Sequence, residues 1–256
     1  MTVPLTPPRC APGFAYQLLS FDLDGTLVDT AAEIAQAANQ TLIQHGVPVR
    51  PVAEITQLIG EGSRALMLKL LARCFLAQPA LADHVRTEAV LADFERGLGQ
   101  TLGSSAQPYP GVPQALARLQ QAGLRLACVS NKEEHLVRRL LHATGLERWF
   151  ELVVGGDTLP EKKPHGSVLR HVLQRLHAEP ERSAHTGDSH IDVVAARQAG
   201  MHAWAVPYGY NGGEPITTAR PDRIFATLLQ LAEHVEGPKK PPSRRPVPAS
   251  ARPHTS

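Results

Sequence analysis

The stretch FDLDGTLVD, residues 21 to 29, poses the physical problem that decides the fold. It places Asp22 and Asp24 two positions apart in an apolar run of the kind that forms a buried strand. Alternate side chains of a strand point to the same side, so both carboxylates can converge on one site. Burying two carboxylates without a basic neighbour is costly, which indicates that a cation from elsewhere in the chain or from solution offsets their charge.

A β-hairpin is the structural alternative for the same stretch. Asp24 followed by Gly25 between apolar residues is a strong signal for a two-residue turn. A hairpin explains Asp24 but leaves Asp22 without a reason to be there. Both interpretations stay open on this stretch alone.

Composition and charge exclude several classes of protein. The chain has 256 residues, 43% of them hydrophobic, which suits one large domain or a core that carries a smaller domain. Lysine and arginine (26) nearly balance aspartate and glutamate (24), so charge gives no reason to expect nucleic acid or a membrane surface as the partner. The three cysteines form no CxxC pair, which argues against a disulfide framework or a zinc site.

Both ends of the chain lack the pattern of a folded core. Residues 1 to 14 are rich in proline and carry no secretion signal, and we expect them to be flexible. Residues 237 to 256 contain six prolines and several basic residues, which predicts a disordered basic tail. Since no run of about 18 apolar residues occurs, we predict a cytoplasmic protein without a membrane span.

Alternating strand and helix patterns predict an α/β fold with a Rossmann-like parallel sheet. The predicted strands cover residues 15 to 24, 124 to 130, 150 to 156, 182 to 188 and 202 to 209. The fourth strand is the weakest, because Ser183, His185 and Thr186 are more polar than a central parallel strand usually allows. We treat His185 as a tolerated strand residue.

A helical insertion separates the first two predicted strands. Residues 30 to 106 carry only helical patterns, at 30 to 46, 62 to 76 and 80 to 98, and a Thr30-x-x-Glu33 capping box opens the first. That length exceeds a simple crossover. We therefore predict a helical cap at 30 to 106, inserted into a catalytic core formed by residues 15 to 29 and 107 to 236.

Two further stretches carry residues suited to anion binding. In CVSNKEE, Ser130 ends the second strand at an expected helix start, where it serves either an anion site or a plain capping box with Glu133. Lys162 and Lys163 precede Pro164, which is expected to open a helix. Adjacent lysines usually lie on the surface, yet a carboxylate cluster needs a cation that one of them could supply.

The stretch TGDSHID adds two more carboxylates. Gly187 gives a tight turn after the fourth strand, and a Ser189-x-x-Asp192 capping box accounts for Asp192. Asp188 has no comparable structural explanation. Carboxylates gathered at the carboxyl ends of parallel strands form an oxygen-rich site suited to Mg²⁺ and phosphate.

Taken together, these stretches resemble the haloacid dehalogenase superfamily of phosphohydrolases. The shared pattern is DxDGT, a serine after a strand, Lys-Pro and GDSxxD, in this order. Within the superfamily, the early helical insertion and the segments FDLDGTLVDT, IGEGSRALM, VSNK, KKPHG and PYGYNGGE are similar to the phosphoglycolate phosphatase branch. The resemblance covers roughly residues 15 to 230.

The resemblance implies a role for each matching residue. It makes Asp22 the nucleophile that forms an aspartyl-phosphate, and Asp24 the general acid and base. It assigns phosphate binding to Ser130, Asn131 and Lys163, and Mg²⁺ binding to Asp22, the backbone carbonyl of Asp24, Asp188 and Asp192, the last as a ligand or next to one. The second aspartate also argues against a dehalogenase, whose reaction produces no alkoxide to protonate.

Substrate choice is expected to lie with the cap. Arg64, in IGEGSRALMLK, is a candidate to pair with the carboxylate of 2-phosphoglycolate, and an exposed arginine at a helix start is the alternative. The resemblance thus implies Mg²⁺-dependent hydrolysis of a small phosphorylated metabolite, 2-phosphoglycolate. A sugar-phosphate phosphatase or phosphomutase, or a non-catalytic regulatory relative, remain the alternatives.

Overall fold

The computed structural model describes residues 15 to 237, and its centre is a parallel sheet of six strands. The strands are β1 (Leu18–Phe21), β2 (Val28–Asp29), β3 (Gln107–Pro108), β4 (Arg125–Val129), β5 (Leu152–Val154), β6 (Ser183–Gly187), β7 (His202–Ala205) and β8 (Arg223–Ile224). The six-stranded sheet has the order β5-β4-β1-β6-β7-β8, and β2 and β3 form a separate antiparallel pair. The Rossmann-like α/β prediction is confirmed.

Helices cover the sheet and fill the insertion. They are α1 (Ala31–Gln44), α2 (Val52–Thr56), α3 (Ser63–Ala77), α4 (Thr87–Thr101), α5 (Val112–Gln121), α6 (Glu134–Ala143), α7 (Ser167–Arg175), α8 (His190–Gln198) and α9 (Leu228–Glu236). Within residues 15 to 237, none of these helices combines the length and apolar character needed to cross a membrane.

The topology brings the predicted site residues to one edge of the sheet. Strand β1 is fully buried and pairs in parallel with β4 on one side and β6 on the other. Phe21 therefore lies opposite Cys128 and Thr186 at the carboxyl end of all three strands. From this edge the chain continues to β4 and β5 on one side of β1 and to β6, β7 and β8 on the other. Ligands of α/β sheets usually bind at such a point.

All five predicted strands are present, each shorter than its apolar run. The two-residue strand β8 has no sequence signal long enough to detect, and its two residues are exposed. The hairpin alternative is wrong, because β1 pairs only with parallel neighbours and β2 pairs with β3. Gly25, with φ of +81°, instead turns the chain between β1 and β2.

The helical insertion has a hydrophobic core of its own. Helices α1 to α4 lie between β2 and β3 in the chain, and α1 packs mainly against α4 and α2. Their buried side chains include Ile34, Leu42, Met67, Leu70 and Phe94. The pattern at 80 to 98 predicted one helix, but a 3₁₀ turn over Pro79–Asp83 precedes α4. The division into core and cap at the predicted boundaries stays a prediction.

The predicted capping box at the start of α1 is wrong. Thr30 precedes α1, but its hydroxyl donates to Asp24 Oδ1 at 2.6 Å rather than capping the helix. Glu33 accepts hydrogen bonds from residues 103 to 106 at the end of the insertion, including the backbone N–H of Ala106 at 2.9 Å. The expected flexible start at 1 to 14 and the basic tail beyond residue 237 lie outside the described residues.

Candidate active site

Asp22 and Asp24 extend from the end of β1 into the edge of the sheet. The backbone N–H of Asp22 donates to the carbonyl of Thr186 at 2.9 Å, which continues the β1–β6 ladder by one residue. A tight turn follows, in which the N–H of Gly25 donates to the carbonyl of Val28 at 3.0 Å. Both carboxylates are buried, with 6% and 8% exposure, so their charges need partners.

An acidic cluster forms beside Asp22. Asp22, Asp188 and Asp192 each offer one oxygen, and these oxygens lie within 4.8 Å of one another. Asp188 accepts hydrogen bonds from the Thr26 hydroxyl at 3.2 Å and from the backbone N–H of Tyr210. Burial raises the pKa of Asp188 well above its usual value, and the charges of Asp22 and Asp192 raise it further.

Lys163 lies between two of these carboxylates. Its ammonium nitrogen is 2.8 Å from Asp22 Oδ1, 2.7 Å from Asp192 Oδ1 and 2.8 Å from the carbonyl of Val129. Burial alone would lower the pKa of Lys163, but Asp192 and Asp22 raise it overall. Lys162 instead points to the surface, where it donates to the carbonyl of Glu61 at 2.6 Å. The structure thus brings Lys163, and not its neighbour, to the predicted nucleophile.

Asp192 is the most fully hydrogen-bonded carboxylate of the cluster. Its Oδ2 accepts from the hydroxyl and backbone N–H of Ser189, which confirms the predicted capping box of α8. Its Oδ1 is shared by Lys163 and His185. Burial would raise the pKa of Asp192, but Lys163 and His185 lower it overall. Both oxygens already have donors, which favours a role beside the metal over direct coordination.

His185 explains why a central strand is polar. It is fully buried in β6, with Nδ1 2.9 Å from the Ser20 hydroxyl and Nε2 3.2 Å from Asp192 Oδ1. Burial lowers the pKa of His185, which favours the neutral ring, although Asp192 opposes the shift. Rather than a merely tolerated strand residue, His185 links the middle of the sheet to the carboxylate that holds Lys163.

The donor set fits a divalent cation. The pKa of Asp22 is raised to about 7, mainly by burial. The negative charges of Asp192 and Asp24 also raise it, and Lys163 lowers it only in part. The cluster is therefore short of positive charge. Gly25 and Gly209 approach Asp188 so closely that a Cβ atom at either position would overlap its carboxylate. Hard carboxylate oxygens in a closely packed setting suit Mg²⁺.

Ser130 and Asn131 lie in the loop after β4, and no helix begins at Ser130. Helix α6 begins at Glu134, its N-cap residue is Glu133, and its first N–H donates to Asp157 at 2.7 Å, so the proposed Ser130–Glu133 capping box is wrong. The Asn131 amide donates to the carbonyls of Lys163 at 2.8 Å and Gly60 at 3.0 Å. Its oxygen accepts from the Lys163 N–H at 2.9 Å. The Asn131 side chain therefore positions Lys163, and its predicted contact with phosphate stays a prediction.

Arg64 does not reach the site. Its guanidinium pairs with Glu88 at 2.8 Å on the outer face of the insertion, and the side chain is 59% exposed. Helix α3 begins at Ser63, and the neighbouring Ser63 faces inward while Arg64 faces solvent. The expectation that Arg64 binds a substrate carboxylate is corrected on this geometry.

Two site residues were missed in the sequence. Lys132 Nζ lies 2.9 Å from Asp24 Oδ1, and only 6% of its side chain is exposed. The hydroxyl of Tyr210 accepts from the backbone N–H groups of Thr30 at 2.9 Å and Ala31 at 3.1 Å. Both lie in segments that carried the family resemblance, VSNK and PYGYNGGE, but neither position had a chemical signal of its own.

A small cavity of about 30 Å³ lies between Asp24 and the insertion. Asp22, Asp24 and Lys132 line it from the sheet side. The side chains that line it from the insertion are Ser63 and the apolar residues Ile34, Ile59, Leu66, Phe94 and Leu98. Charged groups on one wall and apolar groups on the other suit a small polar ligand that is shielded from water.

Fold and site define an α/β protein that carries a cluster of buried carboxylates and a buried lysine at the edge of a parallel sheet. The sequence model of haloacid dehalogenase-like hydrolases matches residues 19 to 206, so the chain belongs to this family. It is 39% identical to a phosphoglycolate phosphatase of Nitrosospira multiformis, covering 84% of this chain and 93% of the relative. It is 35% identical to a phosphoglycolate phosphatase of Vibrio vulnificus, covering 86% and 96%.

A solved structure agrees with these relatives. The crystal structure of a predicted phosphoglycolate phosphatase from Haemophilus somnus superposes with a TM-score of 0.79 at 30% identity. The match covers 86% of this chain and 100% of that one. The protein is therefore a phosphoric monoester hydrolase of this family, and the class predicted from the sequence is confirmed.

Proposed function

We propose that the protein is a Mg²⁺-dependent phosphatase that converts 2-phosphoglycolate to glycolate and phosphate through an aspartyl-phosphate at Asp22. The observation that carries the proposal is the arrangement around Asp22, with Lys163 at 2.8 Å and the oxygens of Asp188 and Asp192 close by. The names of the curated relatives support the substrate.

In the first half-reaction, a carboxylate oxygen of Asp22 attacks phosphorus and the bond from phosphorus to the ester oxygen breaks. Asp24 gives its proton to the departing alkoxide. Thr30 and Lys132 both donate to Oδ1 of Asp24, which directs the transferable proton to Oδ2. Lys163 balances the charge of Asp22 and of the transferred phosphoryl group.

In the second half-reaction, water attacks phosphorus and Asp24 takes one of its protons. The bond from phosphorus to Asp22 breaks, which releases phosphate and restores the free carboxylate. Asp24 is protonated again and ready for the next substrate. Ser130 and the amides that follow β4 lie at the same sheet edge and are the proposed donors to the phosphoryl oxygens.

Asp22, the carbonyl of Asp24 and Asp188 are the proposed Mg²⁺ ligands, and Asp192 lies beside them. When bound, Mg²⁺ supplies positive charge that favours ionised Asp22 and a phosphoryl group open to attack. Asp192 holds Lys163 at 2.7 Å, so the chain provides its own cation on the other side of the nucleophile.

The lining of the cavity supports a small polar leaving group. Its charged side chains lie beside Asp24, and most of its other side chains are apolar. The apolar wall excludes water from competing attack once the substrate fills the cavity.

The test is phosphate release by the purified full chain with Mg²⁺ and a panel of phosphomonoesters. The panel contains 2-phosphoglycolate, glucose 1-phosphate, glucose 6-phosphate and p-nitrophenyl phosphate. We expect the highest kcat/KM with 2-phosphoglycolate. A preference for a hexose phosphate, or conversion of one hexose phosphate into the other, would overturn the substrate assignment.

The nucleophile is tested separately with Asp22→Asn. We expect kcat to fall by a factor of roughly a thousand or more with every substrate, because the amide cannot form the covalent intermediate. Asp83→Asn, an exposed aspartate in the insertion, is the matched control and should keep the rate of the unaltered protein. Equal phosphate release by Asp22→Asn and the unaltered chain would disprove the assignment.

A further inference from the structure

Lys132 is a buried lysine at the site that donates to Asp24 but has no assigned role toward the substrate. It follows β4, and its ammonium lies 2.9 Å from Asp24 Oδ1 with 6% of the side chain exposed. Lysine is rarely buried unless it is paired, and the cost of desolvating it is large. Asp24 already receives the Thr30 hydroxyl at 2.6 Å, so a second donor to the same oxygen needs a further reason.

The surroundings of Lys132 provide that reason. Among the described residues that line the cavity next to Asp24, Lys132 is the sole cation. Lys163 is held on the other side by Asp22 and Asp192. The insertion side chains that line the cavity are uncharged, and all of them except Ser63 are apolar, so a ligand group with negative charge would find its counter-charge only at Lys132.

We propose that Lys132 determines substrate specificity by binding an anionic group on the leaving alcohol, and that its ligand is a carboxylate one methylene away from the ester oxygen. This inference rests on the proposed phosphatase function. Asp24 protonates the ester oxygen, so an ammonium in contact with Asp24 lies beside the atoms attached to that oxygen. In 2-phosphoglycolate, the carboxylate occupies this position.

Charge and solvation together make this contact selective. A substrate carboxylate entering the cavity loses water against Ile34, Leu66 and Phe94, and an ion pair with Lys132 offsets that loss. A neutral hydroxymethyl group in the same place loses less water and gains less from the ammonium. A site built to pair a polar group discriminates strongly against ligands that lack it.

The test compares two substrates that differ only in this group, 2-phosphoglycolate and 2-hydroxyethyl phosphate. The measured quantity is the ratio of their kcat/KM values in the unaltered chain and in Lys132→Met. We expect the ratio to fall roughly ten- to a hundredfold, mainly through a higher KM for 2-phosphoglycolate. Any damage that acts through Asp24 affects both substrates alike and cancels in the ratio.

Further variants separate charge from structure. Lys132→Arg keeps the charge and should retain a larger ratio than Lys132→Met. Lys132→Gln provides the same comparison if the methionine variant does not fold. Lys69→Met removes an exposed lysine that pairs with Glu61 at 2.6 Å, and it should leave the ratio unchanged.

Each negative outcome has its own meaning. If the unaltered chain prefers 2-phosphoglycolate and the Lys132 variants keep that preference, the inference fails and the proposed function stands. If Arg64→Met lowers the ratio more than Lys132→Met, the carboxylate is bound elsewhere and the inference also fails. If the unaltered chain does not prefer 2-phosphoglycolate over 2-hydroxyethyl phosphate, the proposed substrate and the role of Lys132 both fail.

Discussion

The hydroxyl of Tyr210 accepts a hydrogen bond from the backbone N–H of Thr30 at 2.9 Å. The two residues are 180 positions apart in the chain, and Thr30 stands at the start of the first helix of the insertion. The backbone N–H of the same tyrosine donates to Asp188, a proposed metal ligand. Tyr210 therefore connects the acidic cluster to the point where the chain enters the insertion.

Removing the Tyr210 hydroxyl should break the hydrogen bonds that connect this tyrosine to the start of α1. In Tyr210→Phe, the N–H of Thr30 loses its acceptor, the N–H of Ala31 keeps only Asp29, and Asp29 loses a donor. We expect a loss of about 1 kcal/mol in the free energy of unfolding and a several-fold lower kcat/KM. Denaturant unfolding and steady-state kinetics measure both effects.

Tyr208→Phe is the matched control for Tyr210→Phe. The Tyr208 hydroxyl donates to the carbonyl of Thr26 at 2.9 Å rather than binding the start of α1. Its loss should lower stability without changing kcat/KM. Unchanged kinetics in both variants would show that the Tyr210 bond has no part in turnover.

Asp192→Asn distinguishes a metal ligand from a residue that positions Lys163. Both oxygens of Asp192 are hydrogen-bonded within the protein, so we expect the variant to lose a factor of about 10 to 100 in kcat and in apparent Mg²⁺ affinity. Asp188→Asn should lose far more Mg²⁺ affinity. Activity measured against Mg²⁺ concentration gives both values, and equal losses in the two variants would make Asp192 a direct ligand.

The glycine next to Asp188 should be required for metal binding. A Cβ atom at Gly209 would overlap the Asp188 carboxylate, so Gly209→Ala is expected to raise the Mg²⁺ concentration needed for half-maximal activity. Gly99, in α4, has open space around it. Gly99→Ala is the control and should leave Mg²⁺ dependence unchanged while adding ~0.5 to 1 kcal/mol of stability. An unaltered Mg²⁺ dependence in Gly209→Ala would contradict the tight packing around Asp188.

Glu33 should make stability depend on pH. Burial would raise its pKa, but hydrogen bonds from the N–H groups of Ser105, Gly103 and Ala106 lower it overall. A lowered pKa in the folded state means that the ionised side chain adds stability above the usual glutamate pKa. That stability is lost as the pH falls toward the lower folded-state value.

Glu33→Gln tests this dependence. At neutral pH we expect the variant to lose about 1 to 3 kcal/mol in the free energy of unfolding, because its amide is a weaker acceptor for these donors. The difference from the unaltered chain should narrow as the pH falls below about 4.5. A difference that stays constant from neutral to acidic pH would rule out the charge of Glu33 as its origin.

Local patterns in the sequence were enough to predict the sheet and most of the site. The apolar runs gave five strands, and Asp22, Asp188 and Ser130 were placed at strand ends because each follows such a run directly. The capping box at Ser189 was also predictable, since it involves residues only three apart. Features of this kind depend on residues that are close in sequence, so they can be predicted without the tertiary structure.

The remaining assignments depend on contacts between distant segments. Thr30 has the sequence of a helix cap, but Asp24 and Tyr210 engage it instead. Arg64 and Lys132 are both cations near glycine-rich or polar loops, and only packing turns one toward solvent and the other toward Asp24. Hydrogen-bond groups pair with whichever partner the fold brings nearest, and no local pattern contains that information.

The sequence by itself determined which segments form the five long strands and that carboxylates follow them, because periodicity and residue chemistry are local properties. Tertiary structure alone decided that His185 supports Asp192 and that Lys132 faces the cavity. It also places Lys163, the lysine that the family resemblance had assigned, next to Asp22. Burial makes each of these charges and dipoles dependent on a specific partner, and that partner comes from another part of the chain.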